Sequence, residues 1–181
     1  MTQDTVSHKQ EKVMIFVTVG THEQPFDRLI REVDRLCMEN TITEDVVMQT
    51  GYSTCQPHAA CCKSEAFFAY DKMQELMRQA DIVITHGGPA SFIAPLQMGK
   101  VPIVVPRQSR YQEHVNDHQL LFCREVAKRQ KTILLVEDIG LLGDTILRYD
   151  ELVRACKVAE QGNNAAFCSR INDMVLELCK G

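Results

Sequence analysis

The 181-residue sequence lacks the features that mark several large protein classes. No apolar run approaches the ~20 residues needed to cross a bilayer, so no spanning helix is expected. The opening stretch, MTQDTVSHKQEK, is polar and has no apolar core of a secretory signal. We read residues 1–12 as a disordered lead and the chain as cytoplasmic. Positive charge is not in excess: 20 Lys and Arg stand against 24 Asp and Glu, for a net charge of -4 and a pI near 5.9. The basic stripe of a nucleic-acid binder is missing, and no nucleic-acid partner is expected. There is no Gly-x-Gly-x-x-Gly, which argues against a dinucleotide, and no cofactor is expected. None of the eight cysteines forms a Cys-x-x-Cys pair, so a zinc site finds little support and reduced thiols are expected. Internal repeats and low-complexity tracts are absent as well.

What remains is an ordinary globular composition, 45% apolar and 24% charged, long enough for one domain over 13–181. Val13 to Val19 is a β-branched apolar run and reads as a buried strand. A helix is expected from Pro25 to Met38, with Pro25 in its first turn and Phe26, Leu29, Ile30, Val33 and Leu36 on its apolar stripe. Further strands are expected at 46–49, 66–69, 81–85, 101–105 and 132–136. Helices are expected at 72–79 (capped by Asp71), at 89–98, and from the polar loop after Arg107 to Arg129. Terminal helices are expected at 138–148, 150–161 and 164–179. Strands alternating with helices imply an α/β fold: a Rossmann-like parallel sheet with helices on both faces.

In such sheets ligands bind beyond the carboxyl ends of the strands. Three loops leave that edge with unusual content. Gly20-Thr21-His22-Glu23 reads either as a phosphate or sugar contact, with His22 or Glu23 as proton acceptor, or as a plain strand-to-helix turn. His86-Gly87-Gly88-Pro89-Ala90-Ser91 opens a helix after two glycines, where free N–H groups suit a phosphate. Its bland reading is a tight turn. In Arg107 to Gln119, Arg107 and Arg110 can neutralise a diphosphate, and Glu113, Asn116, Asp117 and Gln119 suit sugar hydroxyls; the bland reading is a solvated helix start. His114 and His118 stand four apart, as on one helix face, but a third ligand is not evident and no metal is expected.

At these residues the chain resembles the C-terminal domain of glycosyltransferase family 28, half of a GT-B enzyme. The similar parts are FVTVGTHEQPFDRLI, THGGPAS, GKVPIVVPR and EHVNDHQ, spread from Val13 to Val136. The likeness is closest to single-domain bacterial polysaccharide glycosyltransferases, which are similar to the cytosolic catalytic subunit of the two-part UDP-N-acetylglucosamine transferase. The resemblance implies a fold equivalent to the donor-binding half. Gly20 and Thr21 would approach the diphosphate or sugar of a UDP-sugar donor. His86, Gly87, Gly88 and Ser91 would form a second donor loop, and Asn116, Asp117 and Gln119 a third near sugar or ribose. One departure stands out: the Glu that many GT-B enzymes carry eight residues after the strand-end His, contacting the ribose, is Ala94 here, so either the ribose is held differently, by Glu113 or Gln119, or nucleotide binding is weak.

The implied function is that of the catalytic, donor-binding subunit of an inverting glycosyltransferase in polysaccharide biosynthesis. It would move a hexose, galactose first and N-acetylglucosamine second, onto a lipid-diphosphate-linked saccharide. A membrane-anchored acceptor-binding subunit would hold the chain at the inner face of the membrane. The alternative is a non-catalytic nucleotide-sugar-binding or stabilising subunit of such a complex. A sugar-nucleotide epimerase needs two domains in one chain and ranks last.

Overall fold

The computed structural model describes residues 13–156. Six strands form one parallel sheet: β1 (Met14–Thr18), β2 (Asp45–Gln49), β3 (Cys62–Glu65), β4 (Ile82–His86), β5 (Ile103–Val105) and β6 (Leu134–Leu135). Their order is β3-β2-β1-β4-β5-β6. The helices are α1 (Asp27–Met38), α2 (Tyr70–Gln79), α3 (Pro89–Gln97), α4 (His118–Gln130), α5 (Leu142–Leu147) and α6 (Tyr149–Ala155), with single 3-10 turns at Ser109–Tyr111 and Ile139–Leu141.

Side-chain alternation along the central strands sorts the core into two layers. Ile15 and Val17 of β1, Ile84 of β4, and Ile103 and Val105 of β5 pack with Leu29, Ile30 and Val33 of α1 and with Leu142 and Ile146 of α5. Phe16 and Val83 point the other way, onto Leu76 and Met77 of α2. Val104 does the same against Phe92 of α3 and Phe122 and Val126 of α4. Every residue of the expected α1 stripe is buried. At about 25 cal/mol per Å² of apolar surface, each full-sized side chain so buried stabilises the fold by roughly 1.5–3 kcal/mol.

Local details differ from the sequence reading. The third strand lies at Cys62–Glu65, and the apolar run 66–69 is a loop beyond it. The reason is position: β3 is an edge strand with alternating half-buried and exposed residues, so its four polar-to-small residues carry no apolar signature. In the run that looked like a strand, Phe68 turns in towards Phe16 and Phe67 turns out onto Tyr52. Asp71 sits in the first turn of α2 rather than at its cap, which is Ala69. Pro25 precedes the α1 cap, Phe26. The first terminal helix is split into a 3-10 turn and α5. The helix expected at 164–179 lies outside the described residues.

Candidate functional site

The strand order runs outward from β1 on one side and from β4 on the other, so the chain's crossovers reverse direction between these two strands. At such a point the loops leaving the carboxyl ends part and leave a crevice. The loops after β1, β4 and β5 meet there, and a histidine from each takes part: His22, His86 and His114.

His86, the last residue of β4, sets the geometry. A Cβ on Gly20 would lie 2.8 Å from its Nε2, and one on Gly88 would lie 2.6 Å from the same atom. Real Cβ atoms do not approach so closely, so the imidazole occupies the room that these two glycines leave. Gly20 also adopts φ +77, the left-handed region that favours glycine. Gly87 serves packing instead: a Cβ there would meet Cys123 Sγ at 2.9 Å and Pro106 at 3.1 Å. The bulk-free space read from the sequence is therefore filled from within by His86. Ser91 Oγ lies 3.2 Å from His86 Nε2, fixing the ring's outer edge. Nδ1 is buried without a hydrogen-bond partner.

Beneath the loops lies Arg107, wholly buried at the end of β5. Its guanidinium donates to the carbonyls of Gln24 (2.7 Å), Pro25, Glu113 and Val19, and rests 4.7 Å from the centre of the Phe26 ring. These bonds tie the loop after β1 to the loop after β5. A residue expected to touch a diphosphate is thus a buried tie whose charge acts through the loops. Arg110, in contrast, is exposed and lies over the Tyr111 ring.

The polar residues of 113–119 mostly organise their own loop. The Glu113 carboxylate, 3% exposed as a residue, accepts two 2.8 Å bonds from Arg28 and one from Gln108 N. Asp117 accepts from Ser109 N at 2.7 Å and Ser109 Oγ at 2.9 Å. Asn116 Oδ1 accepts from His118 N, and Gln119 Oε1 from Arg107 N. His114 lies in the loop while His118 opens α4, so they do not share a helix face. Instead His114 stacks against His22, ring centres 4.8 Å apart.

Burial and the Arg107 charge favour the neutral forms of His86 and His22. Burial first, then the Arg107 charge, pushes the His86 pKa down from 6.5 to about 4. Burial, Arg107 and His114 likewise lower that of His22, against a smaller opposing pull from Glu23. Burial lowers the Arg107 pKa to about 10, which leaves the guanidinium charged at neutral pH. The rim therefore has one fixed positive charge below, with His22 and His86 held towards their neutral forms above it. His22 Nδ1 accepts from Gln24 N at 3.2 Å, which puts the proton of the neutral ring on Nε2; Nδ1 is the nitrogen that can take up a further proton, once released from that contact.

Comparison with known proteins identifies the family of the domain. Residues 14–138 match the family model described as the glycosyltransferase family 28 C-terminal domain. The chain belongs to this family. It is 32% identical over 120 residues to the mouse UDP-N-acetylglucosamine transferase subunit ALG13, and 32% over 121 residues to the human one. The matches take in 62% and 63% of this chain but 10% of each relative, so the chain spans about a tenth of the curated relatives' length. The crystal structure of the kitacinnamycin glycotransferase shares the fold, with 16% identity and a TM-score of 0.50 over 93% of this chain and 39% of that one.

Within the family's frame, the residues brought together are Gly20, His22, His86, Gly88, Ser91, Arg107 and His114. Thr21 and Glu23 are exposed on the first loop. Glu113 faces away, towards a groove of about 830 Å³ that it lines with Gln24, Arg28, Arg31 and Tyr111. Ala94 packs among the apolar neighbours of Phe16 and Val83. Two contributors escaped the sequence reading. Gln49, 1% exposed, donates to Thr18 Oγ1 and accepts from Phe68 N, closing the ends of β1 and β2. Arg28 holds Glu113. Neither has a local signal, because each acts on a residue far away in sequence.

Proposed function

We propose that this glycosyltransferase family 28 domain binds a UDP-sugar at the rim where the loops after β1, β4 and β5 converge, and transfers its hexose with inversion. The observation that carries the reading is this convergence at the reversal between β1 and β4, where α3 begins and where the charge of buried Arg107 acts on both His86 and His22. The pyrophosphate would lie over the His86 ring and the Gly87–Gly88 backbone. Free N–H groups at the start of α3 contribute about 0.3–1 kcal/mol at an exposed site and more where water is excluded. Arg110, exposed on the third loop, can swing towards the phosphates.

In the reaction an acceptor hydroxyl oxygen forms a bond to the anomeric carbon. The bond from that carbon to the β-phosphate oxygen breaks, and UDP leaves with the electron pair. The hydroxyl proton passes to a base, for which His22 is the first candidate, through Nδ1 once Gln24 N has released it, and exposed Glu23 the second. Stabilising the leaving diphosphate falls to the α3 start and the arginine charge. Asn116, Asp117 and Gln119 shape the loop that would meet sugar or ribose.

The acceptor, a lipid-diphosphate-linked saccharide, would be presented by a membrane-anchored partner subunit. Among the described residues no helix is long and apolar enough to cross a membrane. Galactose is the first expectation from the sequence; the UDP-N-acetylglucosamine in the names of the mouse and human relatives supports testing that donor alongside it. The test is a donor screen on the chain reconstituted with its membrane partner and a lipid-linked acceptor. Transfer from one UDP-hexose supports the reading; hydrolysis and transfer from none, with UDP still bound, would favour the second reading. That second reading is a donor-binding subunit without chemistry of its own, and Ala94, where many GT-B enzymes carry a ribose-binding Glu, favours it.

A further inference from the structure

At the opposite edge of the sheet, where α1 ends and β3 begins, three cysteines meet. Cys37 is buried on the last turn of α1, and Cys61 and Cys62 are half-buried at the start of β3. Their three sulfurs all lie within 4.8 Å of one another, and Cys62 Sγ is 3.5 Å from Cys37 Sγ. We propose that Cys37, Cys61 and Cys62 form a thiolate site for one zinc ion that ties edge strand β3 to helix α1.

The spacing fits the ion. Zinc–sulfur distances of about 2.3 Å in tetrahedral geometry hold the sulfurs about 3.8 Å apart. The observed cluster brackets that value, so small side-chain rotations suffice. The loop presenting two of the ligands is already held. Asp34, one turn before Cys37 on α1, accepts from His58 N and Ala59 N at 2.8 Å each. Cys61 O accepts from Val46 N, fixing that residue to β2.

The site also answers a structural need. β3 pairs with β2 alone, and its residues alternate between half-buried and exposed, so little apolar burial holds it in place. Ligation would supply that anchorage. Zinc displaces three thiol protons, which leaves a complex of net charge -1 from three thiolates and one dication. Its fourth position faces solvent beside the half-buried Cys61 and Cys62 and takes a water. Thiolate ligands and a d10 ion need no redox partner.

The test uses the full chain, kept reduced with a phosphine and stripped of metal. It is titrated with Zn²⁺ against a chromophoric chelator, and in parallel with Co²⁺. The expected result is one ion per chain, a cobalt–thiolate charge-transfer band, and a thermal midpoint raised by zinc and returned by chelator. Losing a direct ligand costs more than the 10–100-fold typical of an outer-shell partner, so Cys61→Ser and Cys62→Ser each weaken binding by more than about 100-fold. Cys55→Ser leaves affinity unchanged. Both serine variants replace half-buried residues, and circular dichroism confirms that they fold. Zinc affinity equal in these variants and the parent overturns the proposal. So does recovery of a Cys37–Cys62 disulfide from the native protein with no zinc uptake after its reduction.

Discussion

The His86 imidazole fills the space a side chain on Gly88 would need, with Nε2 only 2.6 Å from where that Cβ would lie. The glycine and the histidine therefore form one fitted unit. Gly88→Ala forces the ring aside, and overpacking of this kind costs about 1–3 kcal/mol. His86→Ala removes the obstacle, so the double variant should recover most of that loss. Urea unfolding of the two single variants and the double variant measures the coupling. Strict additivity would show that the ring and the glycine do not compete for space.

Arg28 and Glu113 form a bidentate pair with side chains 12% and 4% exposed. Removing one partner strands a buried charge. Arg28→Met should destabilise the fold by about 3–5 kcal/mol, while Arg28→Met with Glu113→Leu should cost clearly less. Denaturation midpoints decide it: equal losses in the single and double variants would mean the pair's burial is not what makes the single change costly.

Stability should fall on mild acidification. The folded chain holds His86 near a pKa of 4, while the unfolded chain returns it to about 6.5. As pH falls the unfolded chain takes up its proton first. The stabilisation is thus complete above pH 6.5 and lost progressively down to about pH 4. The total is at most about 3 kcal/mol for this one group. The lowered His22 adds to the same trend. Chemical denaturation at successive pH values should show this slope, and His86→Gln should flatten it. A slope unchanged in that variant would place the titration elsewhere.

The sequence made the architecture legible because its informative residues act locally. The apolar runs of β1, β4 and β5 are buried on both faces, so they read as strands. The α1 stripe repeats at helical spacing, and the glycines mark the turns at the rim. What stayed hidden depends on distant pairing. β3 has no apolar signature because one of its sides meets solvent. Arg107 looked like a phosphate ligand because a surface arginine in a loop usually is available; four carbonyls from two loops hold it inside instead. The partnerships of Glu113 with Arg28 and of Asp117 with Ser109 likewise join residues that no spacing rule links.

If His22 is the base, His22→Ala should lower turnover of the assembled enzyme by about 100-fold or more while UDP affinity holds. Glu23→Gln should be milder, since it is exposed. Single-turnover assays with the membrane partner separate the two. Full turnover of His22→Ala would assign proton removal to Glu23 or to the partner subunit.

The most direct test is a titration of the isotopically labelled chain with UDP, followed through backbone amide shifts. Saturable changes are expected to concentrate at Gly20–Glu23, Gly87–Ser91 and Gln108–Gln119, with little response to uridine alone. No saturable change with UDP, or changes confined to the Arg28–Arg31 groove, would contradict donor binding at the rim.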